Sequence, residues 1–219
     1  MKIFTGMLGL CVGSFVQCLI DRYPNYFISK FSVCDKCKTK LKIIDLIPIF
    51  SFIFLKGKCT YCKNKISSNT IITEFILLVS FVWFYIYKSD NFIVLCTLFS
   101  CLYLACFTDI KHMEIPDICF ILILIVSVFY NKNDYVFGFC VLFVCSILSY
   151  FNQLGFGDTK LLFSLSFYFD AYSFIASLLI ACLLAMIYIL IRKRLKKGTL
   201  IKFAPFISIS YFITYVLLN

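Results

Sequence analysis

Gly155-Phe156-Gly157-Asp158-Thr159-Lys160-Leu161-Leu162-Phe163-Ser164-Leu165-Ser166-Phe167-Tyr168-Phe169 sets one carboxylate between glycines and a lysine, directly before nine uncharged residues. Whether Leu161–Phe169 crosses a bilayer decides the architecture. Apolar runs stand on both sides of this stretch, Tyr135–Phe151 before it and Tyr172–Ile191 after it. Others are Ile3–Ile20, Ile71–Tyr87, Phe92–Phe107, Ile115–Tyr130 and Phe203–Leu218. Of 219 residues 62% are hydrophobic, against roughly 45–50% for a soluble domain. Most of the runs approach the ~17–25 residues that a helix needs to cross about 30 Å of hydrocarbon. Backbone groups in lipid must be satisfied internally, which favours helices. The expected fold is therefore an all-α polytopic membrane protein. The first run follows Lys2 but precedes Asp21-Arg22-Tyr23-Pro24 rather than a small-residue cleavage pattern, so a retained helix is expected.

Charge placement orients the spans. The net charge is +10, and ten basic residues fall within positions 21–70. Concentration in one loop argues for a cytoplasmic segment under the positive-inside rule, and against a nucleic-acid surface. Threading from an external N-terminus puts Asp109-Ile110-Lys111-His112 inside, Asn131–Asp134 outside and GFGDTK inside. If Leu161–Phe169 also crosses, the cluster Arg192, Lys193, Arg194, Lys196 and Lys197 is cytoplasmic. The expectation is about eight transmembrane helices, the sixth short and tolerated by local thinning or by burial among other helices.

Of the thirteen cysteines, nine lie scattered in apolar spans, where cysteine behaves as a small hydrophobe. The other four form Cys34-x2-Cys37 and Cys59-x2-Cys62 in the cytoplasmic loop. Two such turns suit one tetrahedral zinc, and four sulfur ligands leave no position for water, so the expected site is structural. Redox pairs are the other reading. Ile43–Leu55, between the pairs, is short and contains Pro48. Were it to cross, the two pairs would lie on opposite sides of the membrane, so an interfacial or loop-packed segment is expected.

Asp109 closes the third span, and Pro116 marks the start of the fourth. Asp158 opens the sixth. Both carboxylates thus stand at cytoplasmic helix ends, where ionisable groups are costly and mark function. Two carboxylates brought together share a proton, the arrangement of an aspartic protease. Gly155 and Gly157 would then let a substrate backbone approach Asp158 and would permit unusual torsions. From charge placement alone, two capping or snorkelling carboxylates explain the same residues equally well. A third reading is an ion- or proton-coupled transporter using Asp109 and Asp158, although no internal repeat supports it. His112 is expected to be an exposed loop residue, and Lys111 and Lys160 to meet anionic headgroups.

Gly9-x3-Gly13-Ser14-Phe15, Asp21-Arg22-Tyr23-Pro24, the two CxxC pairs, Asp45-Leu46-Ile47-Pro48 and Leu55-Lys56-Gly57-Lys58-Cys59 form an ordered series. It continues through Asp109–Asp117 and Gly155–Leu161 to Lys202-Phe203-Ala204-Pro205-Phe206. In this order the motifs resemble those of type IV prepilin leader peptidases, membrane aspartyl proteases of the GxGD class. The resemblance implies that Asp109 and Asp158 are the catalytic pair. It implies a prepilin or pseudopilin substrate, cut after a glycine at the cytoplasmic face of the bacterial inner membrane. Many members also methylate the new N-terminus with S-adenosylmethionine through the N-terminal region, where Glu74 matches a glutamate. The chain departs from the family pattern at Phe31-Ser32-Val33-Cys34-Asp35 and at Ile43-Ile44, where a tryptophan is common. Residues 1–87 would form the N-terminal region, with two spans and the cysteine loop 21–70, and residues 88–219 a six-helix protease domain. Oligomeric state is not legible.

Overall fold

The computed structural model describes residues 2–24, 31–34, 36–87, 91–129, 135–151, 153–191 and 201–218. The basic cluster 192–197 and the turn 131–134 lie outside the described residues. Among the described residues the elements are helical: α1 (Lys2–Arg22), a 3-10 turn (Ile43–Leu46), α2 (Phe50–Phe54), α3 (Asn69–Tyr87), α4 (Phe92–His112), α5 (Asp117–Phe129), α6 (Tyr135–Tyr150), α7 (Phe156–Ser166), α8 (Ala171–Ile191) and α9 (Ala204–Leu218). The chain forms two compact units, Met1–Cys96 and Thr97–Asn219, with the boundary inside α4.

Four helices, α1, α3, α4 and α8, are long and apolar enough to cross a membrane. They are apolar around much of their circumference, as lipid-facing helices are. On α8, for example, Ile175, Leu179, Leu183 and Leu190 are exposed. The segment Ile43–Leu55 breaks into the 3-10 turn and the five-residue α2, far too short to cross.

In the first unit α1 packs on α3 through small residues. A Cβ on Gly9 would come within 2.8 Å of the Leu77 carbonyl oxygen, and one on Gly13 within 2.7 Å of the Glu74 Cα. Backbones meet this closely only where side chains are absent, the small-xxx-small logic of membrane helices. A polar bond crosses the same seam: the Thr73 hydroxyl donates to Gln17 Oε1 at 2.7 Å, while Gln17 Nε2 donates along α1 to Asp21 Oδ2 at 2.8 Å. Gly13→Ala must therefore push the helices apart, at a cost of about 1–3 kcal/mol. Thermal unfolding in detergent should show a lower midpoint for this variant; an unchanged midpoint would mean the seam is looser than described.

In the second unit α7 is an inner helix. Thr159, Leu161, Leu162, Ser164, Leu165 and Ser166 are buried. Phe163 packs on Phe120 of α5 and Phe139 of α6, and the Phe167 ring covers Gly138. The helix begins at Phe156 and ends at Ser166, whereas the apolar run suggested Leu161–Phe169. Its first turn carries Asp158 and Lys160, which a search for apolar runs passes over. It ends at the C-cap Phe167, and Asp170 then accepts the Ser173 amide at 3.2 Å to start α8. With 11 residues it is about 16 Å long.

α4 also runs further than expected, to His112 rather than Asp109. It stops where Met113 adopts a left-handed φ of 58°, its amide donating to the Asp109 carbonyl at 2.9 Å. α5 starts at Asp117, immediately after Pro116, as the proline indicated. α9 packs on α4 through the Ser208 hydroxyl, which donates to the Leu102 carbonyl at 3.0 Å, and through Phe99 and Phe212.

Candidate active site and metal centre

Asp109 lies in the last turn of α4 and is only 7% exposed. Its Oδ2 accepts the backbone amide of Ala204, the first residue of α9, at 3.2 Å. Lys202 sits close by: its ammonium donates to the Ile110 carbonyl, and its charge acts on Asp109. Sequence reading quoted Lys202–Phe206 without giving it a task. Only a contact across 95 positions reveals one.

Asp158 occupies the first turn of α7, behind the N-cap Gly155. The Thr159 amide closes that turn on the Gly155 carbonyl at 3.0 Å. The negative charge of Asp109 acts on Asp158, so the two carboxylates are electrostatic neighbours although 49 positions separate them in the chain. Neighbouring carboxylates do not both ionise easily and titrate as a pair.

Gly155 and Gly157 stand on either side of Phe156, just before Asp158. Neither adopts a left-handed torsion, and Gly155 is extended at φ −64° and ψ 142°. A Cβ on Gly155 would stand 3.0 Å from Asp158 Oδ2, and one on Gly157 3.3 Å from Ile115. Gly155 thus clears room for the Asp158 carboxylate itself, and Gly157 lets α7 approach the segment before α5. Lys160 differs from expectation. Rather than reaching for headgroups, it bonds Asp117 Oδ1 at 2.5 Å and lies 4.9 Å from the centre of the Phe156 ring. His112 is exposed as expected, but it ends a helix rather than standing in a loop.

The four loop cysteines converge. Two turns of the same design carry them: Val33 bridges Lys40, and Lys58 bridges Lys65. The Cys34 amide bonds the Thr39 carbonyl at 3.0 Å, and the Cys59 amide bonds the Asn64 carbonyl at 2.8 Å. Lys38 and Lys63, at matching places, take left-handed φ of 58° and 57°. The four sulfurs lie within 4.8 Å of one another, and Cys34 and Cys62 are 3.8 Å apart. Ligands about 2.3 Å from a tetrahedral zinc stand about 3.8 Å from each other, so the cluster fits that ion. The Thr39 hydroxyl and amide lower the Cys37 thiol to about 6, while against the Asn64 amide, burial and the neighbouring sulfurs push Cys62 up to about 11, as expected of four thiols crowded together.

Asp45 joins the cysteine turns to the segment between them, accepting from the Lys42 amide at 3.1 Å and from the Thr60 hydroxyl at 2.8 Å. Beneath this segment is a cavity of about 510 Å³, lined in part by Ser14, Asp21, Arg22, Asp45, Thr60 and Glu74. Glu74 is 3% exposed, and its Oε2 accepts the Ile49 amide at 2.7 Å. Small-molecule sites measure about 300–1,000 Å³. The cavity wall carries three carboxylates, Asp21, Asp45 and Glu74, and three basic side chains, Arg22, Lys36 and Lys65, and so suits a ligand that carries charges of both signs.

Two family models match the chain: the bacterial peptidase A24 N-terminal domain over residues 7–88 and the type IV leader peptidase family over residues 96–190. Among curated relatives, a protein of Dichelobacter nodosus is 27% identical over 259 residues, covering 97% of this chain and 90% of the relative. One from Bacillus subtilis is 27% identical over 230 residues, covering 96% and 92%. One from Vibrio cholerae is 28% identical over 187 residues, covering 73% and 74%. All three carry the name prepilin leader peptidase/N-methyltransferase. No solved structure matches.

Proposed function

We propose that this chain, which belongs to the type IV leader peptidase family, is a membrane aspartic endopeptidase that removes the leader of prepilin-like substrates. The observation that carries the catalytic assignment is the electrostatic pairing of Asp109 with Asp158 within the matched region. One carboxylate takes a proton from water as its oxygen attacks the scissile carbonyl carbon. The other gives a proton to the carbonyl oxygen. The bond cut would follow the glycine that ends a short basic leader. The apolar helix of the substrate stays in the bilayer, which brings that bond to the depth of the two helix ends.

In this reading all eight apolar helices cross the membrane, the short α7 being surrounded by its neighbours. The basic loop 21–70 and both carboxylates face the cytoplasm of a bacterial cell, and the protein resides in the inner membrane. Residues 1–87 and 88–219 divide the work between an N-terminal region and the protease domain. Cys34, Cys37, Cys59 and Cys62 would hold one structural zinc, which has no place in the hydrolytic step. The cavity with Glu74 would hold S-adenosylmethionine, whose sulfonium would supply a methyl group for the new N-terminal amine. Glu74, fixed by the Ile49 amide, would face that positive charge.

The test is a synthetic substrate with a basic leader ending in glycine and a following apolar helix, incubated with purified protein and read by mass. Without S-adenosylmethionine the expected product is the shortened chain. With it, the product gains one methyl group, and Glu74→Gln lowers that gain at least about tenfold while cleavage continues. No leader loss would refute the peptidase reading. Cleavage without methylation would refute the cofactor assignment alone.

A further inference from the structure

We propose that Lys202 and the first turn of α9 hold Asp109 as the charged member of the pair, leaving the shared proton on Asp158. This rests on the peptidase reading above but goes beyond it by giving each carboxylate its own task. Lys202 and Ala204 lie beyond both matched regions, which end at residues 88 and 190.

The two carboxylates have different partners. Asp109 Oδ2 receives the Ala204 amide at 3.2 Å, at the N-terminus of a 15-residue helix. Free amides and the aligned peptide dipoles there favour a negative charge. Lys202, fixed on the carbonyl of Ile110 next in sequence, adds a cation beside it. Burial works against a charge on Asp109, and these two contacts counter part of that cost. Asp158 meets the charge of Asp109, and the nearest lysine in its own helix, Lys160, is bonded to Asp117. The other charged or titratable groups near Asp109 in sequence are Cys106, Lys111 and His112 on α4 and Glu114 and Asp117 just beyond it, and α7 carries Asp158 and Lys160. Lys202 supplies an opposite charge that acts on Asp109.

The cycle then closes. Asp109 takes a proton from water as the new C–O bond forms, and Asp158 protonates the carbonyl oxygen. As the C–N bond breaks, Asp109 passes its proton to the departing nitrogen, and Asp158 recovers one from the diol. Both carboxyls return to their starting states with one water consumed. Lys202 touches neither water nor peptide in this scheme. It is a positioning residue that acts through Asp109.

The experiment is the pH dependence of kcat/KM for the synthetic leader substrate in detergent, for wild type, Lys202→Met and Lys202→Arg. Removing the cation makes the Asp109 carboxylate harder to form, so the acid limb moves to higher pH. The expected displacement for Lys202→Met is about one pH unit, a tenfold loss on the limb, with KM and the plateau within about twofold. Lys202→Arg should keep the wild-type limb. An unmoved limb, a loss equal at every pH, or an arginine variant that behaves like methionine overturns the inference. Asp109→Asn in the same assay separates the two levels: full cleavage by that variant removes the peptidase reading and this inference together.

Discussion

Asp158→Asn is expected to lower leader cleavage by about 10⁴-fold or more, with the protein still inserted and folded. Asparagine keeps the volume of the side chain and an acceptor oxygen, so the packing of α7 is unaffected. Leu161, Leu162 and Leu165 remain buried, and the Thr159 amide still closes the turn on Gly155. What disappears is the proton that the carboxyl holds for the substrate carbonyl. Because Asp158 holds the shared proton, the substitution exchanges one neutral side chain for another. Thermal stability should therefore stay equal to wild type, which separates a chemical defect from a folding one. Mass analysis of the substrate and a melting curve in detergent suffice to check both. Processing near the wild-type rate would end the catalytic assignment of Asp158.

Loss of the metal should have the second-largest effect. Purified protein is expected to carry about one zinc per chain, and Cys34→Ser to carry little or none. Zinc held by such ligands has an apparent binding free energy of about 10–16 kcal/mol near neutral pH. The segment around it has few other restraints. The two turns contribute single bridges, and the segment between them is held by Asp45 and by the Ile49–Glu74 bond. The variant should therefore become sensitive to protease between residues 31 and 68, and chelation of wild type should do the same. A metal-free wild type with an intact, protected loop would refute the site.

Much of this arrangement was legible because local physics dictates it. Pro116 fixed the start of α5 within one residue, and the two CxxC turns converge as their spacing suggested. Pro48 and the shortness of Ile43–Leu55 excluded a span there, and that segment forms only brief turns. Other features depend on partners remote in sequence. Lys160 was read as a headgroup contact because Asp117 is 43 positions away. The start of α7 was legible to within two residues from Asp158, although its polar first turn lies outside the apolar run Leu161–Phe169. Gly155 and Gly157 suggested room for a substrate, and only the folded chain shows that a Cβ there would also meet Asp158 and Ile115. The role of Ala204 rests on one backbone amide, which no side-chain pattern encodes.

The central claim is that Asp109 and Asp158 act as one unit, and residual activity tests it most directly. Leader cleavage should be measured by mass for wild type, Asp109→Asn, Asp158→Asn and the double variant at equal protein concentration. The account expects the three variants to share the same background rate, because either substitution already disables the pair. A single variant that retains turnover which the double variant loses would contradict it.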